Sequence, residues 1–115
     1  MTTPVGPYTP IVRAGQWLVV SGQLGLREGK LVSGDTVDQL TQAIDNLRGL
    51  LAQEGASLSD VVKTTVFLRH MSDYPSMNEA YIEAFGDHRP ARSAIGVAEL
   101  PLNALVEIEA WAFTG

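Results

Sequence analysis

Two hydrophobic periods alternate along the chain. Val37, Leu40, Ile44, Leu47 and Leu51 recur in steps that fall on one face of a helix. Thr36 and Gln39 have capping-box spacing at its start and Gly55 suits its end, which predicts a helix over 36–54. A second stripe, Met77, Tyr81, Ala84 and Phe85, predicts another helix, with Asp73 as its cap and Gly86 as its stop. Residues 60–68 are rich in β-branched side chains and read as a central strand. Two further strands are expected at 93–98 and 105–113. Near the start, residues 9–12 and 17–21 are β-prone and flank the turn-like Arg13-Ala14-Gly15-Gln16. Gly22, Gly25, Gly29 and Gly34 then mark a long loop or an irregular strand. The order is ββαβαββ. It predicts an α+β two-layer sandwich, with two helices on one face of a mainly antiparallel sheet. The 115 residues have no visible linker or repeat and are expected to form a single domain.

Two helices cover only one face of such a sheet, and the other face has a distinctive composition. In 105–113 the even positions Val106, Ile108, Ala110 and Ala112 are uniformly apolar and should face the helices. The odd positions put Glu107 and Glu109 beside Trp111 and Phe113. In 61–68 one parity collects Val61, Lys63, Thr65 and Phe67, again a mixture. In 93–98, Ile95 and Val97 are expected to face the helices, leaving Arg92 and Ala94 on the open side. A face mixing aromatic, acidic and basic groups suits a subunit interface with wet pockets, which points to a homo-oligomer packed sheet to sheet. A monomer with a partly apolar solvated face is the alternative.

Composition narrows the chemistry. The formal net charge of −5 disfavours a phosphate backbone as partner, so no nucleic-acid binding is expected. There is no cysteine, which excludes disulfides, thiol nucleophiles and Cys-ligated metal. The first residues, Met-Thr-Thr-Pro-Val-Gly-Pro, lack the basic and apolar regions of a signal peptide. The longest apolar runs are four residues, whereas a membrane-spanning helix needs ~20. A soluble, cytoplasmic protein without a membrane partner is expected.

Gly25-Leu-Arg-Glu-Gly29-Lys30 is one residue short of a phosphate-binding loop and is followed by Leu31. His70 and His88 lack ligand-like spacing, so no metal site is expected. What remains is an arginine, some carboxylates and a few hydroxyls. Arg92 stands where a loop enters a strand, and its planar fork can grip a carboxylate. Equally, it can pair with Glu107 or Glu109 as a structural ion pair. Glu107 has Lys63 or Arg92 as a possible structural partner. Tyr8 can simply pack over a sheet end, Ser21-Gly22-Gln23 can be a strand turning into a loop, and Asn78 can be a polar helix residue.

Several segments, in this order, resemble the RidA (YjgF) family of reactive-intermediate imine deaminases. They are Gly6-Pro7-Tyr8, Ser21-Gly22-Gln23, Val62-Lys63-Thr64-Thr65-Val66-Phe67, Asn78 with Tyr81 and Phe85, Pro90-Ala91-Arg92-Ser93 and Val106-Glu107-Ile108-Glu109-Ala110. The resemblance runs from about Gly6 to Phe113. It implies a chorismate-mutase-like fold and a homotrimer with ligand clefts between subunits. The implied activity is hydrolysis of 2-imino or 2-enamino acids, such as 2-aminoacrylate, to 2-oxo acids and ammonia, with no cofactor. Carried onto this chain, Arg92 looks like the clamp for the substrate carboxylate and Glu107 like the residue that holds and activates water. Tyr8, Ser21, Gly22 and Asn78 look like cleft-lining groups. The family fold also implies that strand 61–68 separates Arg92 from Glu107, so that they would cooperate across a subunit boundary. Two departures stand out. Ala94 occupies a position where many relatives carry cysteine, and the segment 85–90 is shorter than in the best-known relatives. Other readings are a non-catalytic binder of small carboxylates or metabolites and, by fold analogy alone, a chorismate-mutase-type enzyme.

Overall fold

A computed structural model describes residues 4–115. Its principal sheet has five strands in the order β1-β2-β7-β5-β6: β1 Ile11–Ala14, β2 Trp17–Gln23, β5 Val61–Leu68, β6 Ala91–Gly96 and β7 Val106–Phe113. A two-stranded ribbon, β3 Leu26–Arg27 with β4 Lys30–Leu31, occupies the segment expected to be a long loop or an irregular strand. Helices α1, Thr36–Gln53, and α2, Tyr74–Phe85, pack on one face. The pairings are antiparallel except β5 with β6, which are parallel and joined through α2. The expected two-layer α+β architecture therefore holds.

The core lies between the helices and the inner sheet face. Leu40, Ile44, Leu47 and Leu51 of α1 and Met77 of α2 meet Leu18, Val66, Leu68, Val106 and Ile108, all fully buried. Truncating a leucine in such a site to alanine costs ~2–5 kcal/mol.

Several local expectations are corrected. The cap of α1 is Asp35, not Thr36: its carboxylate accepts from the amides of Val37 and Asp38, and the Asp38 carboxylate accepts from the Asp35 amide. Thr36, one residue in, donates its hydroxyl to Asp73 at 2.8 Å. That contact occupies the Asp73 carboxylate, which makes no cap hydrogen bond to α2 although Asp73 stands at the cap position. Gln39 accepts from the Leu105 amide at 2.8 Å and so ties α1 to the start of β7.

Two irregularities in the ladders shape the open face. In β2, the register to β7 shifts between Val20 and Gln23, which leaves Ser21-Gly22 as a bulge. In β5, Val61 pairs with Ala112 and Lys63 with Trp111, so Val62 is extra. The bulge turns Val61 into the core, where it is fully buried, and away from Lys63, Thr65 and Phe67. The faces of β6 are opposite to expectation. Arg92 lies beside Thr64 and Ala94 beside Val66. Thr64 and Val66 are buried under the helices, so Arg92 and Ala94 face the helices while Ser93 and Ile95 face outward.

Candidate functional site

Arg92 is the second residue of edge strand β6 and reaches under α2. Tyr74, Met77 and Tyr81 lie three and four residues apart, so one helix face presents all of them to the guanidinium. The Arg92 Cζ sits 4.8 Å from the Tyr81 ring centroid and 5.5 Å from that of Tyr74. Nη2 donates to the Tyr74 hydroxyl at 3.1 Å, and Nη1 approaches the Met77 sulfur at 3.6 Å. Aromatic faces attract a cation without neutralising it. Among the described residues, Arg92 has no ion-pair partner: the salt bridges present are Arg13–Glu54 and Arg48–Asp45. The structural pairing with Glu107 or Glu109 is therefore absent.

The cleft holding Arg92 has a volume of about 290 Å³ and is also lined by Asn78, Tyr81, Ile82, Arg89 and Pro90. Asn78 contributes a buried Oδ1 that has no hydrogen-bond partner. Buried polar atoms are nearly always paired, so this acceptor stands ready for a donor. Tyr81 shares a 2.8 Å hydrogen bond with Thr64. Burial pushes its phenol above the usual tyrosine range, against the opposing pull of that bond and of the Arg92 and Arg89 charges. The surroundings of Arg92 thus consist of residues that the sequence reading treated as core or did not single out. The common face of Tyr74, Met77 and Tyr81 was the available signal.

Glu107 lies elsewhere. It pairs across from Phe67 on the open face of the sheet, whereas Arg92 pairs across from Thr64 on the helix face. Strand β5 stands between them. Within one protomer these two groups do not form one site. Burial, reinforced by the neighbouring Glu109 charge, holds the Glu107 carboxyl above the usual range. The β2 bulge brings Gly22 against it: a Cβ on Gly22 would lie 2.5 Å from Oε2 of Glu107. Only glycine leaves the carboxylate its present position. Lys63 is not its partner, since Nζ donates to Ser93 at 2.8 Å.

Tyr8 and Gly22 line one shallow hollow, together with Pro4, Val5, Pro10, Gln23, Leu24 and Leu26. Ser21 donates its hydroxyl to the Thr9 carbonyl at 2.7 Å, a contact that pins the N-terminal segment to β2. The expected site residues therefore fall into two sets, Arg92 with Asn78 and Glu107 with Gly22, Ser21 and Tyr8. A wider depression, about 870 Å³ between the β3–β4 ribbon and the helices, contains neither set. Two of its cations are engaged locally, Arg27 with Gln42 and Arg48 with Asp45, and it carries charges of both signs. The smaller Arg92 cleft is chemically the more pointed. Among the described residues no cluster of His, Asp and Glu has metal-ligand geometry, and no helix is long and apolar enough to cross a membrane.

Comparison with known proteins agrees with this fold. The family model described as Endoribonuclease L-PSP matches residues 1–114. A RutC family protein of Pyrococcus horikoshii is 44% identical over 112 residues, 96% of this chain and 89% of that protein. The Mus musculus protein named 2-iminobutanoate/2-iminopropanoate deaminase is 42% identical over 113 residues, 96% of this chain and 84% of its own. Among solved structures, RidA from an Antarctic Psychrobacter matches with a TM-score of 0.93 at 35% identity, covering 96% of this chain and 91% of that one. The structure of Escherichia coli TdcF with bound serine matches with a TM-score of 0.92 at 32% identity, covering 97% and 91%. With the match spanning almost every residue and the fold reproduced throughout, this chain belongs to the RidA (YjgF) family, whose model carries the description Endoribonuclease L-PSP.

Proposed function

We propose that the protein hydrolyses 2-imino acids, and the 2-enamino acids in equilibrium with them, to 2-oxo acids and ammonia. The observation that carries this reading is the Arg92 guanidinium, held between two tyrosines with no acidic partner. A cation so placed is an anion site awaiting its anion, and an Arg fork suits a carboxylate. Relatives at about this distance are named for 2-iminobutanoate and 2-iminopropanoate, both carboxylates.

The chemistry asks little of the protein. Arg92 fixes the carboxylate and so orients the adjacent C=N carbon. Asn78 Oδ1 accepts from the protonated imine nitrogen. A water oxygen attacks the carbon while the C=N electron pair moves to nitrogen. Glu107 takes the proton that water loses and returns it to the nitrogen; as the C–N bond breaks, the oxygen's electron pair forms C=O and the hydroxyl proton passes to Glu107, leaving a 2-oxo acid and ammonia. General-base help of this kind is worth ~10²–10⁴-fold, and a carboxyl with a raised pKa suits both taking and returning the proton. Since Arg92 and Glu107 lie on opposite faces of one sheet, the working cleft takes them from two protomers. A homotrimer in which the open face of one protomer meets the β6 edge of the next supplies that arrangement, with Tyr8, Ser21 and Gly22 lining the Glu107 side.

RNA cleavage, suggested by the family description, is the weaker reading, because a net charge of −5 repels the phosphate backbone. The test is continuous detection of 2-oxo acid as an amino-acid oxidase generates 2-iminopropanoate. The wild-type chain should accelerate hydrolysis above the buffer rate, and Arg92→Ala should lose both that acceleration and pyruvate binding. Equal rates and equal binding in both would reject the assignment. Saturable pyruvate binding without acceleration would instead indicate a non-catalytic carboxylate binder.

A further inference from the structure

The cleft around Arg92 holds a second cation that hydrolysis of a simple 2-imino acid does not use. Arg89 lies in the short connection between α2 and β6, and its side chain lines the same cleft. Its Nη1 donates to the carbonyls of Gly86 and His88, at the end of α2. That anchor uses one nitrogen of the fork. Among the described residues, Nε and Nη2 have no partner and neither arginine has an ion pair. The lining residues Asn78, Tyr81, Ile82 and Pro90 include no acid, so the cleft carries two uncompensated positive charges.

Both charges bear on one point. The Tyr81 phenol feels both charges, Arg92 more than Arg89. Arg89 precedes Arg92 by three positions, and an extended chain spreads three residues over ~10 Å. Both side chains fold back into one cleft of about 290 Å³, at the small end of ligand sites, which span ~300–1,000 Å³. Ile82 and Pro90 add apolar wall to the same cleft. The arrangement matches a short aliphatic chain with an anion at each end.

We infer that Arg89 is a specificity-determining residue, giving the cleft a preference for 2-imino acids with a second carboxylate, whose hydrolysis yields 2-oxo dicarboxylates. This rests on the proposed function in one respect, that Arg92 takes the carboxylate next to the imine. The shortness of the 85–90 connection places Arg89 at the rim, since Gly86, whose carbonyl anchors it, is also the cap residue of α2.

A bland role is also defined by the geometry. Cations near a helix C-terminus interact favourably with its carbonyls. If that were the whole role of Arg89, its loss would affect all substrates alike. The test therefore compares two substrates and two ligands. The kcat/KM for imines generated from glutamate and from alanine is measured for wild type, Arg89→Ala and Arg89→Lys. Binding of 2-oxoglutarate and 2-oxobutyrate is measured separately by calorimetry. Arg89→Ala should lower the dicarboxylate-to-monocarboxylate ratio, in both kcat/KM and affinity, by about 10–100-fold, the usual worth of a charge-assisted hydrogen bond. Arg89→Lys should restore part of it. An unchanged ratio in both measurements overturns the inference, as does weaker binding of 2-oxoglutarate than of 2-oxobutyrate by the wild type. If the wild type hydrolyses neither imine, the deaminase reading fails while the binding ratio still decides the role of Arg89.

Discussion

Two glycines show how a single missing methyl group can serve different ends. At Gly22 the added Cβ would meet the tip of the Glu107 side chain, and at Gly25 it would lie 2.4 Å from the Gln39 carbonyl oxygen. A side-chain tip can move and a helix backbone cannot. Gly25→Ala should therefore destabilise the fold by about 1–3 kcal/mol, read by urea unfolding. Gly22→Ala should keep nearly wild-type stability yet lose about 10²-fold in rate, since displacing a positioned group by an ångström has that effect. A Gly22→Ala variant with full activity would remove Glu107 from the mechanism. Glu107 also makes a stability prediction. Its carboxyl is raised in the folded chain, so between the usual carboxylate range and its folded value the folded state holds a proton that the unfolded chain has lost. Its contribution to stability then falls as pH rises through that window and is fully unfavourable above it. Glu107→Gln should melt higher than wild type at pH near 7, with the gain shrinking as pH falls toward the usual carboxylate range. A difference in Tm independent of pH would contradict the raised pKa.

At the level of elements, the helices and the inner faces of the long strands were legible in the sequence. Leu40, Ile44, Leu47 and Leu51 repeat often enough to set the phase of α1 without help, and Val106, Ile108, Ala110 and Ala112 set that of β7. Strand β6 was not legible, for a physical reason. Ala94 against Ile95 and Val97 offers hardly any contrast between the two faces of a short edge strand, and its orientation comes from parallel pairing with β5. The inverted phase decides the site, because it moves Arg92 from the open face to the tyrosines of α2. Family resemblance singled out Arg92 and Glu107, but periodicity alone contained no sign that they stand on opposite faces. The cap of α1 was misplaced by one residue because Asp35 and Thr36 are both good caps, and the buried contact from Thr36 to Asp73 settles the choice. Asp35→Ala should cost about 1 kcal/mol, measured by chemical denaturation, through loss of the acceptor for the Val37 and Asp38 amides. Thr36→Ala, which leaves that cap intact, should instead loosen the junction of α1 with the start of α2. Similar hydrogen-exchange protection at that junction in both variants would contradict this division of roles.

At the scale of the whole molecule, the proposed mechanism requires the open sheet face to meet a second protomer. Trp17 packs edge-on to Trp111 with centroids 6.3 Å apart and against Phe113 at 4.9 Å, yet Trp111 remains 46% exposed. An aromatic cluster left this open has the character of an interface awaiting its partner. Trp111→Arg should yield a folded monomer without imine hydrolysis, seen by sedimentation beside unaltered circular dichroism; an assembly of wild-type mass would place the interface elsewhere. The sharper consequence concerns who supplies what. If each cleft takes Arg92 from one subunit and Glu107 from its neighbour, two inactive variants can complement each other. Co-expressed Arg92→Ala and Glu107→Gln chains would assort at random in a cyclic oligomer, and a cleft regains both groups in about a quarter of cases. The whole co-expressed population should thus recover about a quarter of wild-type activity, whereas separately purified variants should stay at the buffer rate. Were each site built within one subunit, every cleft would lack one of the two groups however the chains were mixed. Recovery of activity therefore separates the shared cleft from the self-contained one, and no recovery from assembled mixed oligomers would reject it.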